Sequence, residues 1–157
     1  MSNIIELPRP TTLLRPSMAG KRDKNLKILD ILSKLAVTVE PVASARIAAA
    51  VVYKNDMISF GINQKKTHPF QVKFQRNHQS IFLHAETDAI KNALRFIDQE
   101  QLAKSTLYIC RMKYIGTDRR EFVQGLSKPC EGCTKAIATF DIKNVVYSLD
   151  NEGYDIL

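Results

Sequence analysis

The sequence predicts an α/β domain built on a mixed sheet of four to five strands, covered by helices on both faces. Three observations carry this. Residues Arg46–Tyr53 and Met57–Ile62 are two apolar, Val- and Ile-containing runs separated by Lys54-Asn55-Asp56, which reads as a hairpin. After them, helical and strand patterns alternate: a helical run from His84, an apolar strand Thr106–Met112, a helical run from Cys130 and an apolar strand Val145–Leu149. Alternation of that kind is joined by right-handed crossovers, which makes the last strands parallel.

At 157 residues the chain is expected to form one domain with a sizeable core. Residues 1–22 carry Pro8, Pro10 and Pro16 with Arg9, Arg15, Lys21 and Arg22, and are expected to be a basic tail preceding a domain over 23–157. That tail has no apolar core and no small-residue cleavage site, so it does not read as a secretory signal. No run of about eighteen apolar residues is present, so no membrane partner is expected. The net charge of +7 favours an anionic partner, a nucleotide or a nucleic acid, beside the plainer reading of solubility.

The elements follow in order. Leu26, Ile28, Leu29, Ile31, Leu32 and Leu35 recur at three- and four-residue steps behind Asp23, a possible N-cap, which gives a helix over about 24–36. Residues 63–80 are polar, contain Pro69 and show no period, and are expected to be a loop that walls a site. In the run His84–Asp98, Ala89, Ile90, Ala93, Leu94 and Ile97 form an apolar stripe, with Asp88, Lys91, Asn92 and Arg95 opposite. Residues 113–128 read as a second polar loop, and the residues after Leu149 give no element. The fourth strand is thereby left as an apolar edge, to be covered by the N-terminal segment or a second subunit.

Chemistry concentrates in two short stretches, His84-Ala85-Glu86 and Pro129-Cys130-Glu131-Gly132-Cys133, each opening a helix. Cys130 and Cys133, three apart, share a helix face at an N-terminus, where N–H groups and the dipole favour thiolates. With His84 they make three zinc-type ligands, and a three-ligand site keeps a position for water. Glu86, two residues from His84, is placed to move protons there. Three cysteines with one close pair do not make a disulfide framework. A redox pair leaves His84 and Glu86 unexplained, and a zinc ribbon needs a second pair that Cys110 alone cannot supply. Cys110, in mid-strand, reads as a buried structural thiol. His68 and His78 read as surface histidines. Lys65, Lys66, Lys73 and Arg76, and beside them Arg119, Arg120 and Lys128, are candidates for a phosphate contact.

The pairing of His-x-Glu at one helix start with Pro-Cys-x-x-Cys at another is a signature of zinc nucleobase deaminases. Together with Gly61-Ile62-Asn63, His84–Ile90, Ala136-Ile137 and Ile142–Tyr147, it resembles the cytidine/deoxycytidylate deaminase superfamily, most closely the deoxycytidylate branch, which includes phage-encoded members. The likeness covers about Ala45–Tyr147. It implies a cytidine-deaminase-like α/β/α sandwich and one catalytic zinc ion held by His84, Cys130 and Cys133. It further implies proton transfer by Glu86, and substrate contacts from Asn63, Ala85 and Ser127. The implied reaction is hydrolysis of dCMP to dUMP and ammonia, in a cytoplasmic homo-oligomer. Deamination of dCTP, or of a base in tRNA or single-stranded DNA, is the alternative, and a zinc-stabilised binding module is a third reading. The sequence departs from the branch where Gln64-Lys65-Lys66 replaces a small residue and proline, and where Asp88 replaces Asn.

Overall fold

The computed structural model describes residues 23–42, 44–74, 82–116 and 121–157. Its elements are α1 (Lys24–Ala36), β1 (Arg46–Tyr53), β2 (Asp56–Ile62), α2 (Pro69–Val72), α3 (Ala85–Ala93), α4 (Gln99–Ala103), β3 (Thr106–Tyr114), β4 (Phe122–Gly125), α5 (Glu131–Thr139), β5 (Asn144–Ser148) and β6 (Tyr154–Ile156). The tail over 1–22 lies outside the described residues.

Six strands form one mixed sheet in the order β2-β1-β3-β5-β6, with β4 paired to β3 beyond the end of β5. The expected hairpin is β1–β2; Lys54 and Asn55 take positive φ in its two-residue turn, the handedness that such hairpins require. β3 and β5 are parallel, and the other pairs are antiparallel.

β1 shows why the layers stack closely. Ala48 and Ala50 point to the α1 face, where they join Leu29, Leu32 and Met112. Ala49 and Val51 point to the opposite face, with Ile90, Leu107, Ile109 and Ile137. Small side chains on both faces of a central strand let a helix approach from either side, giving an α/β/α sandwich. Leu29 and Leu32 are fully buried, and truncating either to Ala would cost about 2–5 kcal/mol.

Four expectations need correction. The run from His84 to Asp98 is helical only as far as Ala93; a turn over 94–97 follows, and Asp98 with Gln101 forms a capping box that starts the separate helix α4, while Leu94 and Ile97 still pack on the core. Residues 113–128 contain β4, whose Gln124 is fully buried and donates to the carbonyls of Leu149 (2.8 Å) and Gly153 (2.6 Å). The edge of β5 is covered by the chain's own β6, through Val146–Ile156, Tyr147–Asp155 and Ser148–Tyr154 pairs. The polar stretch 63–80 holds the short helix α2, and its base is closed by Gln64 N–H donating to Leu83 O and Leu83 N–H to Lys66 O.

Candidate active site

The N-termini of α3 and α5 meet over the end of the sheet. His84 is the N-cap of α3 but makes no side-chain cap bond, which leaves its ring available. Cys130 is the N-cap of α5, and its sulfur accepts from the Cys133 N–H at 3.5 Å. His84 Nδ1 lies 3.2 Å from Cys133 Sγ and 3.5 Å from Cys130 Sγ. All three donor atoms fall within 4.8 Å of one another. Tetrahedral zinc with bonds of about 2.3 Å to sulfur and about 2.0 Å to nitrogen needs N···S edges of about 3.5 Å. The donor set and its spacing fit that ion.

Glu86 is 5 % exposed and sits against the cluster. Burial raises its pKa, against the opposing pull of His84 and a hydrogen bond with Cys133. The two thiols divide unequally. Cys133 donates to Cys130, which holds Cys130 far below the usual thiol range and Cys133 well above it. Burial works to lower the His84 pKa, but its hydrogen bond with Cys130 and the charges of Glu86 and Cys130 outweigh this and raise it.

The supporting contacts explain the motif residues. A Cβ on Gly61 would stand 2.2 Å from Ala85 O and 2.3 Å from Ala89 N, so β2 lies directly on the first turns of α3. Asp88, expected on the polar face, is 5 % exposed. It accepts from Ile62 N–H (3.1 Å) and Gln64 Nε2 (3.2 Å) and pairs with Lys91 (3.4 Å). A carboxylate tolerates that burial because each of its oxygens is engaged. Gln71, which no spacing in the sequence marks, is fully buried and bonds His84.

The remaining site residues are placed as follows. Asn63 spends its side chain on β1: Oδ1 accepts from Ile47 N–H (2.8 Å) and Nδ2 donates to Ala45 O (2.9 Å). Ala85, fully buried, opens α3. The Ser127 hydroxyl donates to Ile109 O (2.9 Å) and accepts from Ser148 N–H (2.8 Å), fixing the segment after β4 that leads to Cys130. Lys65 is exposed, 3.9 Å from Glu40. Lys66 and Lys73 are also exposed. His68 accepts from Phe70 N–H and caps α2 rather than joining the cluster. Cys110 is fully buried on the α1 face, with its thiol pushed up to about 12 by burial. Arg76, His78, Arg119 and Arg120 lie outside the described residues. A cavity of about 280 Å³ at the start of β1 is lined by Arg46, Arg111, Lys113 and Tyr114, among others. Arg46 stacks over the Tyr114 ring at 4.7 Å, and Lys113 pairs with Asp150 at 3.1 Å.

The dCMP deaminase of the cyanophage S-TIM5 in apo form has a similar fold, with 20 % identity over 88 % of this chain and 86 % of that chain and a TM-score of 0.53. The same enzyme solved with dCMP and dUMP gives 17 % identity over 85 % and 86 % and a TM-score of 0.51. No curated protein matches the sequence. The sequence model of the cytidine and deoxycytidylate deaminase zinc-binding region matches residues 22–149, and with that match over most of its length the chain belongs to this deaminase family.

Proposed function

We propose that the protein, through its domain over 23–157, hydrolyses dCMP to dUMP and ammonia. The observation that carries this is the buried Glu86 carboxyl set against a His84–Cys130–Cys133 donor cluster at two converging helix N-termini. Those three residues would hold zinc, which when bound acidifies water and supplies a nucleophile at neutral pH. Glu86 takes a proton from the attacking water as oxygen bonds to C4 of cytosine, and delivers it to N3. Glu86 then carries the second proton to the amino group, the C4–N bond breaks, and ammonia leaves with C4 as a carbonyl. Its burial excludes bulk water from that shuttle and keeps the carboxyl able to hold a proton.

Ala85 and the chain at Ser127 are proposed to face the pyrimidine edge, and Asn63 to border the sugar or base. Lys65 and Lys66, or the Arg46–Arg111–Lys113 cavity, are proposed to meet the phosphate. The net charge of +7 supports an anionic substrate. The cyanophage enzyme of the same fold was solved with dCMP and dUMP, which supports the same substrate here. The reading includes a homo-oligomer.

The zinc-loaded protein is to be assayed on dCMP, dCTP, deoxycytidine and a single-stranded oligonucleotide. Turnover of dCMP at a kcat/KM at least about ten-fold above deoxycytidine is expected, since one charge-assisted contact contributes that much. Glu86→Gln should retain zinc and lose about 10²–10⁴-fold in kcat. Turnover confined to the oligonucleotide would reject the nucleotide reading. No turnover on any substrate, with zinc bound, would leave a binding module.

A further inference from the structure

The short helix α2 holds the side chain that fixes His84. Gln71 is fully buried, and its Oε1 accepts from the backbone N–H of His84 at 3.1 Å and from the Thr87 hydroxyl. The His84 N–H belongs to the N-cap and has no place in the hydrogen-bond ladder of α3, so Gln71 supplies its partner. The other end of the same amide is costly: Nε2 is buried and makes no hydrogen bond among the described residues. Burying an unpaired amide donor destabilises a fold, and an apolar side chain of equal length would avoid that. What distinguishes Gln from Met at this position is therefore the oxygen and the two donors it gathers.

The helix that carries Gln71 is anchored elsewhere. With four residues α2 is too short to persist alone. The His68 cap and Pro69 at its first turn shape it. Phe70 stacks on Phe140 at 5.8 Å and meets Phe74 edge-on at 5.5 Å; Phe74 meets Phe140 at 6.3 Å. Phe140 is the C-cap of α5, the helix that begins with Cys130 and carries Cys133. Through Phe140 and Gln71, then, α2 connects the helix of the two cysteines to the helix of the histidine.

We propose that Gln71 is a positioning residue for the metal site: α2 sets the backbone of His84 relative to Cys130 and Cys133 through the Gln71 oxygen. This rests on the zinc reading of the cluster. Residues that orient metal ligands change metal affinity by about 10–100-fold when replaced.

The test compares the wild-type protein with Gln71→Met and Leu29→Ala. Leu29 is a fully buried residue on the opposite face of the sheet and controls for general loss of stability. Zinc affinity is measured by chelator competition, Tm by calorimetry of the metal-free proteins, and ligand geometry by the absorption of the cobalt(II)-substituted forms. Gln71→Met is expected to bind zinc at least about ten-fold more weakly with an altered cobalt spectrum. Leu29→Ala should lower Tm and leave affinity and spectrum unchanged. If Gln71→Met does not fold, Gln71→Asn, which withdraws the oxygen by one methylene, takes its place with the same expectation. Wild-type affinity in the Gln71 variant, or loss of affinity in proportion to Tm in both variants, overturns the proposal. Failure of the wild-type protein to take up zinc overturns the reading beneath it, and is told apart because it appears without any substitution.

Discussion

One methyl group at position 61 would be enough to part β2 from α3. Gly61→Ala would place a carbon inside backbone atoms of Ala85 and Ala89, which cannot swing aside as a side chain would. The variant should lose about 1–3 kcal/mol, read as a lower urea midpoint, with activity falling as α3 is displaced. An unchanged midpoint would show that the strand moves freely away from the helix. Gly61 and Asn63 stood out in the sequence as parts of a motif, but their reasons lay in partners distant along the chain. The same limit explains Asp88. Helical periodicity set it opposite the apolar stripe, correctly, yet that face meets the end of β2 and the residues after it, where the Ile62 N–H and the Gln64 amide engage the carboxylate. Periodicity separates apolar from polar positions; it does not say that a polar face is wet.

Among the elements, α1 shows how a helix legible from its own residues is fixed by others that were not. Its start at Asp23 and its buried face follow from the pattern of Leu and Ile. Its attachment comes from β6 and β3: the Tyr154 hydroxyl donates to Asp23 Oδ2 at 2.7 Å, and Tyr108 to Asn25 Oδ1 at 2.7 Å. The bond to Asp23 raises the Tyr154 pKa, with burial adding to it. A phenol whose pKa is raised on folding adds stability that is complete below its unfolded pKa of about 10 and is lost as pH climbs through the folded value. Tyr154→Phe should therefore be less stable than wild type by about 1 kcal/mol at pH 7–9, with the gap closing above about pH 10. Chemical denaturation across that range checks it, and a gap that widens in alkali would contradict the assigned hydrogen bond.

For the whole molecule, most of the architecture could be read in advance: the hairpin, the parallel pair β3–β5, and a helix at each of the His84 and Cys130 motifs. What escaped was short. β4 and β6 have four and three residues, too few for a period, and their pairing depends on neighbours already in place. α2 is likewise invisible without the aromatic cluster that anchors it. β6 nonetheless closes the sheet. A chain ending at Gly153 would expose the edge of β5 along Val146–Ser148, and should self-associate. Light scattering behind size exclusion would show a concentration-dependent rise in mass; an unchanged mass would mean that β6 is dispensable as a cover.

Cys130 lies 46 residues beyond His84, and that interval contains α3, α4, β3 and β4. An ion gripped by both residues closes this interval into a ring. In the unfolded chain such a ring removes conformations much as a disulfide does, and for a loop of this length the entropic gain is about 4 kcal/mol. The deaminase centre would then serve as a clasp on the chain, and the middle of the sheet would feel its loss as fully as the substrate does.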